Sequence, residues 1–147
     1  MKHITAVYPK NASICNCMNM RRASRAVTQF YDETLKPSGL TINQLSLLRH
    51  IEITQQITIS NLAKIIRVDR TTLNRNLKPL LDDGFVAVHP GKDSRTRQIM
   101  LTAAGKDAVV EGWKLWQEAQ ASLCEYMGKE NLETLTQLLS KLEAIVP

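Results

Sequence analysis

Cysteine is scarce in this chain, and its number is odd: Cys15, Cys17 and Cys124 are the only three among 147 residues. A disulfide scaffold needs paired cysteines, so that class is excluded and free thiols are expected. Glycine and proline are few, at 6 and 5, which excludes collagen-like and linker-dominated chains. The longest apolar runs are short, as in Ala108-Val109-Val110, and none approaches the roughly 20 residues that span a bilayer. Met1 to Lys10 lacks the apolar stretch of a secretory signal, so the expected location is the cytoplasm, with no membrane partner. His3, His50 and His89 are scattered without metal-ligand spacing. No phosphate-cradling glycine loop or nucleophile elbow occurs. Neither enzyme activity, a cofactor nor a metal is therefore expected.

What is present is ordinary globular material, 44% hydrophobic and 22% charged, which argues against disorder. The length suits a single domain, residues 1–147, that buries roughly 70% of its unfolded surface. The net charge of +5 is unevenly spread: residues 1–60 and 61–101 each carry +4, and residues 102–147 carry −3. A basic segment beside an acidic one suggests a polyanion site next to a separate assembly region. An unevenly charged solvated surface is the alternative.

Apolar spacing organises the chain. Residues 1–12 read as an irregular arm. From Ser13, three- and four-residue steps predict a helix, stopped by Lys36-Pro37-Ser38-Gly39. Thr41 and Gln44 have capping-box spacing for a second helix with Ile42, Leu45, Leu47, Leu48 and Ile51 inward. Thr58 caps a short helix to about Ile66, with Leu62, Ala63, Ile65 and Ile66 inward. Asp69 opens a fourth helix that ends at Asp82-Asp83-Gly84, with a kink or register change expected at Pro79. Phe85–Val88 and Arg97–Leu101 read as the strands of a hairpin around the turn His89–Ser94. Thr102 then caps a long helix from Ala103 to Met127, Gly128 breaks it, and a last helix runs from Lys129 to Ile145.

Two short helices joined by a tight turn, followed by a hairpin with a basic tip, form a winged helix-turn-helix. The expected fold is mainly α with a small β-hairpin wing and a helical dimerisation region. The helix from Asp69 carries Arg70, Thr71, Thr72, Asn74 and Arg75 in its first turns. Arg grips guanine, Asn grips adenine, and Thr contacts the thymine methyl or a phosphate, in a major groove about 12 Å wide. Leu73, Leu77 and Leu80 would anchor the opposite side. The hairpin tip carries Lys92, Arg95 and Arg97, which suits phosphates or a narrow minor groove.

These segments carry a family resemblance. Asp93-Ser94-Arg95-Thr96-Arg97-Gln98-Ile99-Met100-Leu101-Thr102 resembles the wing signature D-x-R-x-x-x-[VIL]-x-L-T of the MarR family of bacterial transcription regulators. Ile59-Ser60-Asn61-Leu62-Ala63 is similar to that family's "seLA" helix, and Leu77 to Val86 resembles its entry to the wing. Leu40 to Leu48 is also similar. The likeness covers about residues 13–147. It implies a homodimer on a pseudo-palindrome in double-stranded DNA, usually a repressor. It also implies that Arg95 enters the minor groove, with Asp93 positioning it. Residues 41–101 would be the winged helix-turn-helix, and 13–36 with 103–147 the dimerisation helices.

The apolar pattern agrees with a dimer, because a monomer would expose the stripe Leu132, Leu135, Leu139 and Leu142. Packing within one chain is the alternative. Trp113 and Trp116 are three apart on one face and are expected at the dimer interface. Cys15-Asn16-Cys17, with Arg21 and Arg22 a turn away, is a candidate thiol sensor. On a helix Cys15 and Cys17 would face about 200° apart, against a shared metal or a mutual bridge. A bridge from Cys17 to Cys124, within or between chains, is a further candidate, and small buried apolar cysteines are the bland alternative. Met18, Arg21, Arg22, Phe30 and Tyr31 are candidate lining for a small aromatic or anionic effector, with core packing as the alternative. A winged helix that binds an acidic protein through Arg70, Arg75 and Arg95 is the competing function.

Overall fold

The computed structural model describes residues 4–5, 10–93 and 95–147. Ser94 of the wing signature, most of the N-terminal arm and His3 lie outside them. In chain order the elements are α1 (Asn16–Leu35), a 3₁₀ turn (Lys36–Ser38), α2 (Ile42–Thr54), β1 (Ile57–Thr58), α3 (Ile59–Ile66), α4 (Arg70–Asp82), β2 (Val86–Pro90), β3 (Arg97–Leu101), α5 (Ala103–Met127) and α6 (Lys129–Glu143). The fold is mainly helical with one small sheet, as the sequence implies.

The helix starts sit where the capping residues put them. The Thr41 hydroxyl accepts from Gln44 N while the Gln44 side chain accepts from Thr41 N, closing the capping box. Thr58, Asp69 and Thr102 cap α3, α4 and α5 through the N–H groups of Asn61, Thr72 and Gly105. A cap that the local pattern does not reveal comes from α1: Asp32 Oδ1 accepts from Ile42 N at 2.7 Å. It ties the first helix to the start of α2. α4 ends in a Schellman motif, with Phe85 N bonded to Leu80 O and Gly84 N to Leu81 O. Gly84, at φ 75°, supplies the left-handed residue that this motif requires. α4 runs from Arg70 to Asp82 without interruption at Pro79.

The sequence predicts two strands, and the described residues form three, in the order β1-β3-β2. The added strand is only Ile57–Thr58, too short to show alternation. It pairs antiparallel with β3, Ile57 opposite Ile99 and Thr58 opposite Gln98. β2 pairs with the other edge of β3 from Val86 opposite Leu101 to Pro90 opposite Arg97. The core gathers Leu35, Leu48, Ile51, Leu62, Leu73, Leu80 and Ile99, all fully buried. Ile65, expected inward, is exposed, because α3 is a single short helix whose inward arc is filled by Ile59, Leu62 and Ala63.

α1 and α5 lie antiparallel. The Tyr31 hydroxyl bonds Gln120 Oε1, while Gly112, two turns earlier in α5, abuts Leu40 and Leu45 beyond the end of α1. α5 ends at Met127, so the first turns of α1 extend past it. Every described residue from Ile14 to Val27 except Asn19 is exposed. Trp113 and Trp116 stack on each other with centroids 4.3 Å apart. The Arg49 guanidinium of α2 sits 4.5 Å over Trp113 and also pairs with Glu52. The aromatic pair thus joins α5 to α2 within one chain. No helix among the described residues is long and apolar enough to cross a membrane.

Candidate nucleic-acid interface

The outward side of α4 follows from its period. Leu73, Leu77 and Leu80 are buried, so the residues between them must face outward. Arg70, Thr71, Asn74 and Arg75 are exposed. Thr72 is half-buried, and its hydroxyl donates to Asp69 Oδ2 at 2.9 Å while its N–H donates to Oδ1 at 2.7 Å. These bonds hold the Asp69 carboxyl below its ordinary range. Thr72 therefore serves the helix start first, and the free polar groups of the first turns are those of its four neighbours. Lys78, eight residues after Arg70, extends the same side and pairs with Asp82 at 2.8 Å. That partner raises its pKa. The i, i+4 spacing of Lys78 and Asp82 was the available signal.

Arg67 sets the turn from α3 into α4. It adopts the left-handed conformation at φ 57° and its N–H closes α3 on the Ala63 and Lys64 carbonyls. Its guanidinium reaches Glu143 of α6 at 2.9 Å. Glycine is the usual residue at such a position, so nothing in the residue types marked this geometry.

The wing tip is built around Asp93. Its carbonyl accepts from Thr96 N and Thr96 Oγ1, both at 2.9 Å, and its carboxylate Oδ1 accepts from Arg95 N at 3.2 Å. Gly91 N closes the tip on Thr96 O at 2.8 Å, and a side chain at Gly91 would collide with Thr96. Lys92, Asp93, Arg95 and Arg97 are all exposed. The tip thus offers Lys92 and Arg95 on a loop that Asp93 shapes and Arg97 at the start of β3, carried by a sheet whose far edge, β1, leads directly into α3.

The sensor candidates are dispersed. Cys15, Cys17 and Cys124 are free thiols, the first two exposed and the third half-buried. The expectation that Cys15 and Cys17 share a helix is corrected. Cys15 is the N-cap of α1 in extended backbone, at φ −89° and ψ 112°, because Ser13 folds back on Asn19. Ser13 N donates to Asn19 Oδ1 and Asn19 Nδ2 to Ser13 O, both at 2.8 Å. Cys124 lies one turn beyond Gln120, whereas Cys17 lies about 21 Å along α1 from Tyr31 at 1.5 Å per residue. One chain therefore keeps Cys17 and Cys124 several turns apart. Among the pocket candidates, Tyr31 is buried in the core, where burial raises its phenol pKa. Phe30 packs edge-on to it, with centroids 5.6 Å apart. Met18, Arg21 and Arg22 sit on the exposed first turns of α1, so one chain does not gather these five residues into a pocket.

Comparison with known proteins addresses this architecture directly. A model of the MarR family matches residues 40–96, the span from α2 to the wing tip. An uncharacterized HTH-type transcriptional regulator, YwoH of Bacillus subtilis, is 26% identical over 83 residues, covering 56% of this chain. The match spans 61% of that relative's own length. The M. tuberculosis transcriptional regulator MosR, solved in complex with DNA, is 39% identical with a TM-score of 0.77; the alignment covers 90% of this chain and 99% of MosR. A mutant MarR of E. coli, complexed with operator DNA, is 26% identical with a TM-score of 0.79, over 86% of this chain and 91% of that one. With the family model on its helix-turn-helix and wing and near full-length likeness to such regulators, this chain belongs to the MarR family.

Proposed function

We propose that the chain binds double-stranded DNA as a homodimer and represses transcription from a pseudo-palindromic operator. The observation that carries this reading is the pairing of α4's exposed Arg70, Thr71, Asn74 and Arg75 with a wing tip bearing Lys92, Arg95 and Arg97. The helix matches a major groove in width and chemistry, and the tip matches the adjacent backbone or minor groove. That MosR and MarR were solved with DNA supports the same assignment.

The dimer reading rests on surface that one chain leaves open. α6 buries none of its residues, and Leu135, Leu138 and Leu139 are 39%, 54% and 47% exposed. Val110 and Tyr126 of α5 and Met18, Met20 and Val27 of α1 are exposed as well. Residues 13–36 and 103–147 then form the dimerisation helices around a DNA-binding unit at 41–101. A two-fold pair presents two copies of α4 to half-sites one helical turn apart, about 34 Å. The protein works in the cytoplasm. Release follows either oxidation of the exposed Cys15 and Cys17 or a small aromatic or anionic ligand. A pocket that combines Met18, Arg21 and Arg22 with Phe30 and Tyr31 requires the second subunit.

Selection of bound sequences from a random duplex pool, with and without peroxide, tests the whole reading. It expects an enriched two-fold motif whose affinity falls steeply with salt through counterion release. No enrichment over background would favour an acidic protein partner instead. Arg95→Ala is expected to weaken the selected duplex by roughly 1–3 kcal/mol with the melting temperature unchanged, and unaltered affinity would remove the wing from the interface.

A further inference from the structure

The six residues Cys15 to Met20 hold four sulfur atoms, from Cys15, Cys17, Met18 and Met20. All four side chains are exposed, with Met18 and Met20 at 38% and 41%. Cysteine and methionine are ordinarily among the most buried residue types, so packing within one chain does not account for this cluster. The two cysteines also do not share a helical register. Cys15 precedes the helix in extended backbone and makes no side-chain cap bond, so its thiol is uncommitted at the helix start. The Cα–Cβ bond of Cys17 leans back toward the helix start, as every helical Cβ does. Cys15 at the helix start and Cys17 in the first turn thus both belong to the same open end of α1. Met20 lies three residues after Cys17 on the helix, which places a thioether beside that thiol.

We propose that Cys15 and Cys17 form a two-coordinate site for a soft monovalent cation, Cu(I). Thiolate and thioether donors select Cu(I) over the harder divalent ions. Among the described residues no group of three or more His, Cys, Asp or Glu is placed to hold a metal, so a tetrahedral zinc centre, which needs four ligands, does not fit one chain. Binding releases both thiol protons. No electron is transferred, and the bis-thiolate complex carries one negative charge. Arg21, four residues after Cys17 and exposed, lies one turn below on the same face to offset that charge. The first-turn N–H groups of α1, which no side chain caps, face it from the helix end. The site stands whether or not the chain binds DNA.

Its test is anaerobic titration of the reduced full-length protein with Cu(I) against a chromogenic Cu(I) chelator. One equivalent per chain is expected to transfer to the protein, and Cys124→Ser is expected to leave that equivalent in place. Cys15→Ser and Cys17→Ser are each expected to lose it, with the far-ultraviolet circular dichroism unchanged because both residues are exposed. Failure to withdraw Cu(I), or full retention by either variant, would overturn the site. Retention of Zn(II) at one ion per two chains would overturn it equally, since four thiolates from two subunits would then be the site.

Discussion

Replacing Gly105 with Ala is expected to destabilise the protein, although Gly→Ala in a helix ordinarily gains about 1 kcal/mol. Gly105 lies in the first turn of α5, directly against the backbone carbonyl of Phe85. A Cβ there would stand 2.0 Å from that oxygen, against an ordinary carbon–oxygen contact of about 3.3 Å. More than an ångström of movement is required, and the groups that must move are tied down. Thr102 N donates to the same Phe85 oxygen at 3.1 Å, Thr102 Oγ1 donates to Gly84 O at 2.6 Å, and Gly105 N donates to Thr102 Oγ1 at 3.0 Å. Overpacking costs about 1–3 kcal/mol and a lost cap about 1 kcal/mol. Less the propensity gain, the net loss is about 1–3 kcal/mol. At about 4 °C per kcal/mol, the melting temperature should fall by roughly 4–12 °C. Gly112→Ala is the control: its Cβ meets only the methyl ends of Leu45 and Leu40, at 2.9 and 3.3 Å. These can yield, so its change should stay within about 1 kcal/mol. Both melts, followed by circular dichroism, must use one protein concentration because oligomerisation shifts the midpoint. If Gly105→Ala melts at or above the parent temperature, α5 does not begin on the Phe85 carbonyl and the junction described above is wrong.

Gln55 sits at φ 61°, ψ −57°, with Gln56 N bonded to Thr54 O at 2.7 Å, a γ-turn of the rarer, strained hand. Gln55→Gly should raise stability by about 1 kcal/mol, read as a higher urea midpoint, and a lower midpoint would refute the strain. The Asp69 carboxyl titrates below its ordinary range when folded, so its contribution is present above about pH 4 and disappears as pH falls through the lowered value. Asp69→Asn keeps a capping group but cannot titrate, so its acid unfolding curve should be shallower than the parent's; identical curves would show that the bond to Thr72 carries no weight. Leu139→Asp should weaken self-association by at least about 10-fold, since Leu139 is 47% exposed in one chain and each of two symmetric copies loses about half of the 1.5–3 kcal/mol of full burial. Sedimentation equilibrium checks this, and an unchanged dimer would place the interface elsewhere.

The legible parts were those governed by local chemistry. Thr41, Thr58, Asp69 and Thr102 mark helix starts because their oxygens satisfy N–H groups within three residues, and Gly84 marks a stop because its backbone can turn left-handed. Leu73, Leu77 and Leu80 fixed which side of α4 faces outward, so the exposed set on that helix followed from spacing alone. What stayed hidden depends on partners far apart in the chain. The strand Ile57–Thr58 exists only because Ile99 and Gln98 lie beside it. Asp32 caps α2 across a tertiary contact, and Arg49 covers an aromatic ring on a helix more than sixty positions away. The place of Cys15 ahead of the helix is not legible because the bonds between Ser13 and Asn19 carry no periodic signature.

Thr58 holds two posts at once: its backbone sits in the ladder opposite Gln98 and its hydroxyl starts α3. The hairpin and the helix-turn-helix are consequently yoked at this residue, beside the Ile57–Ile99 pair. Displacement of the arginine-bearing tip bears on the base of α3 through β3 and β1, so a partner that grips one end acts on the other.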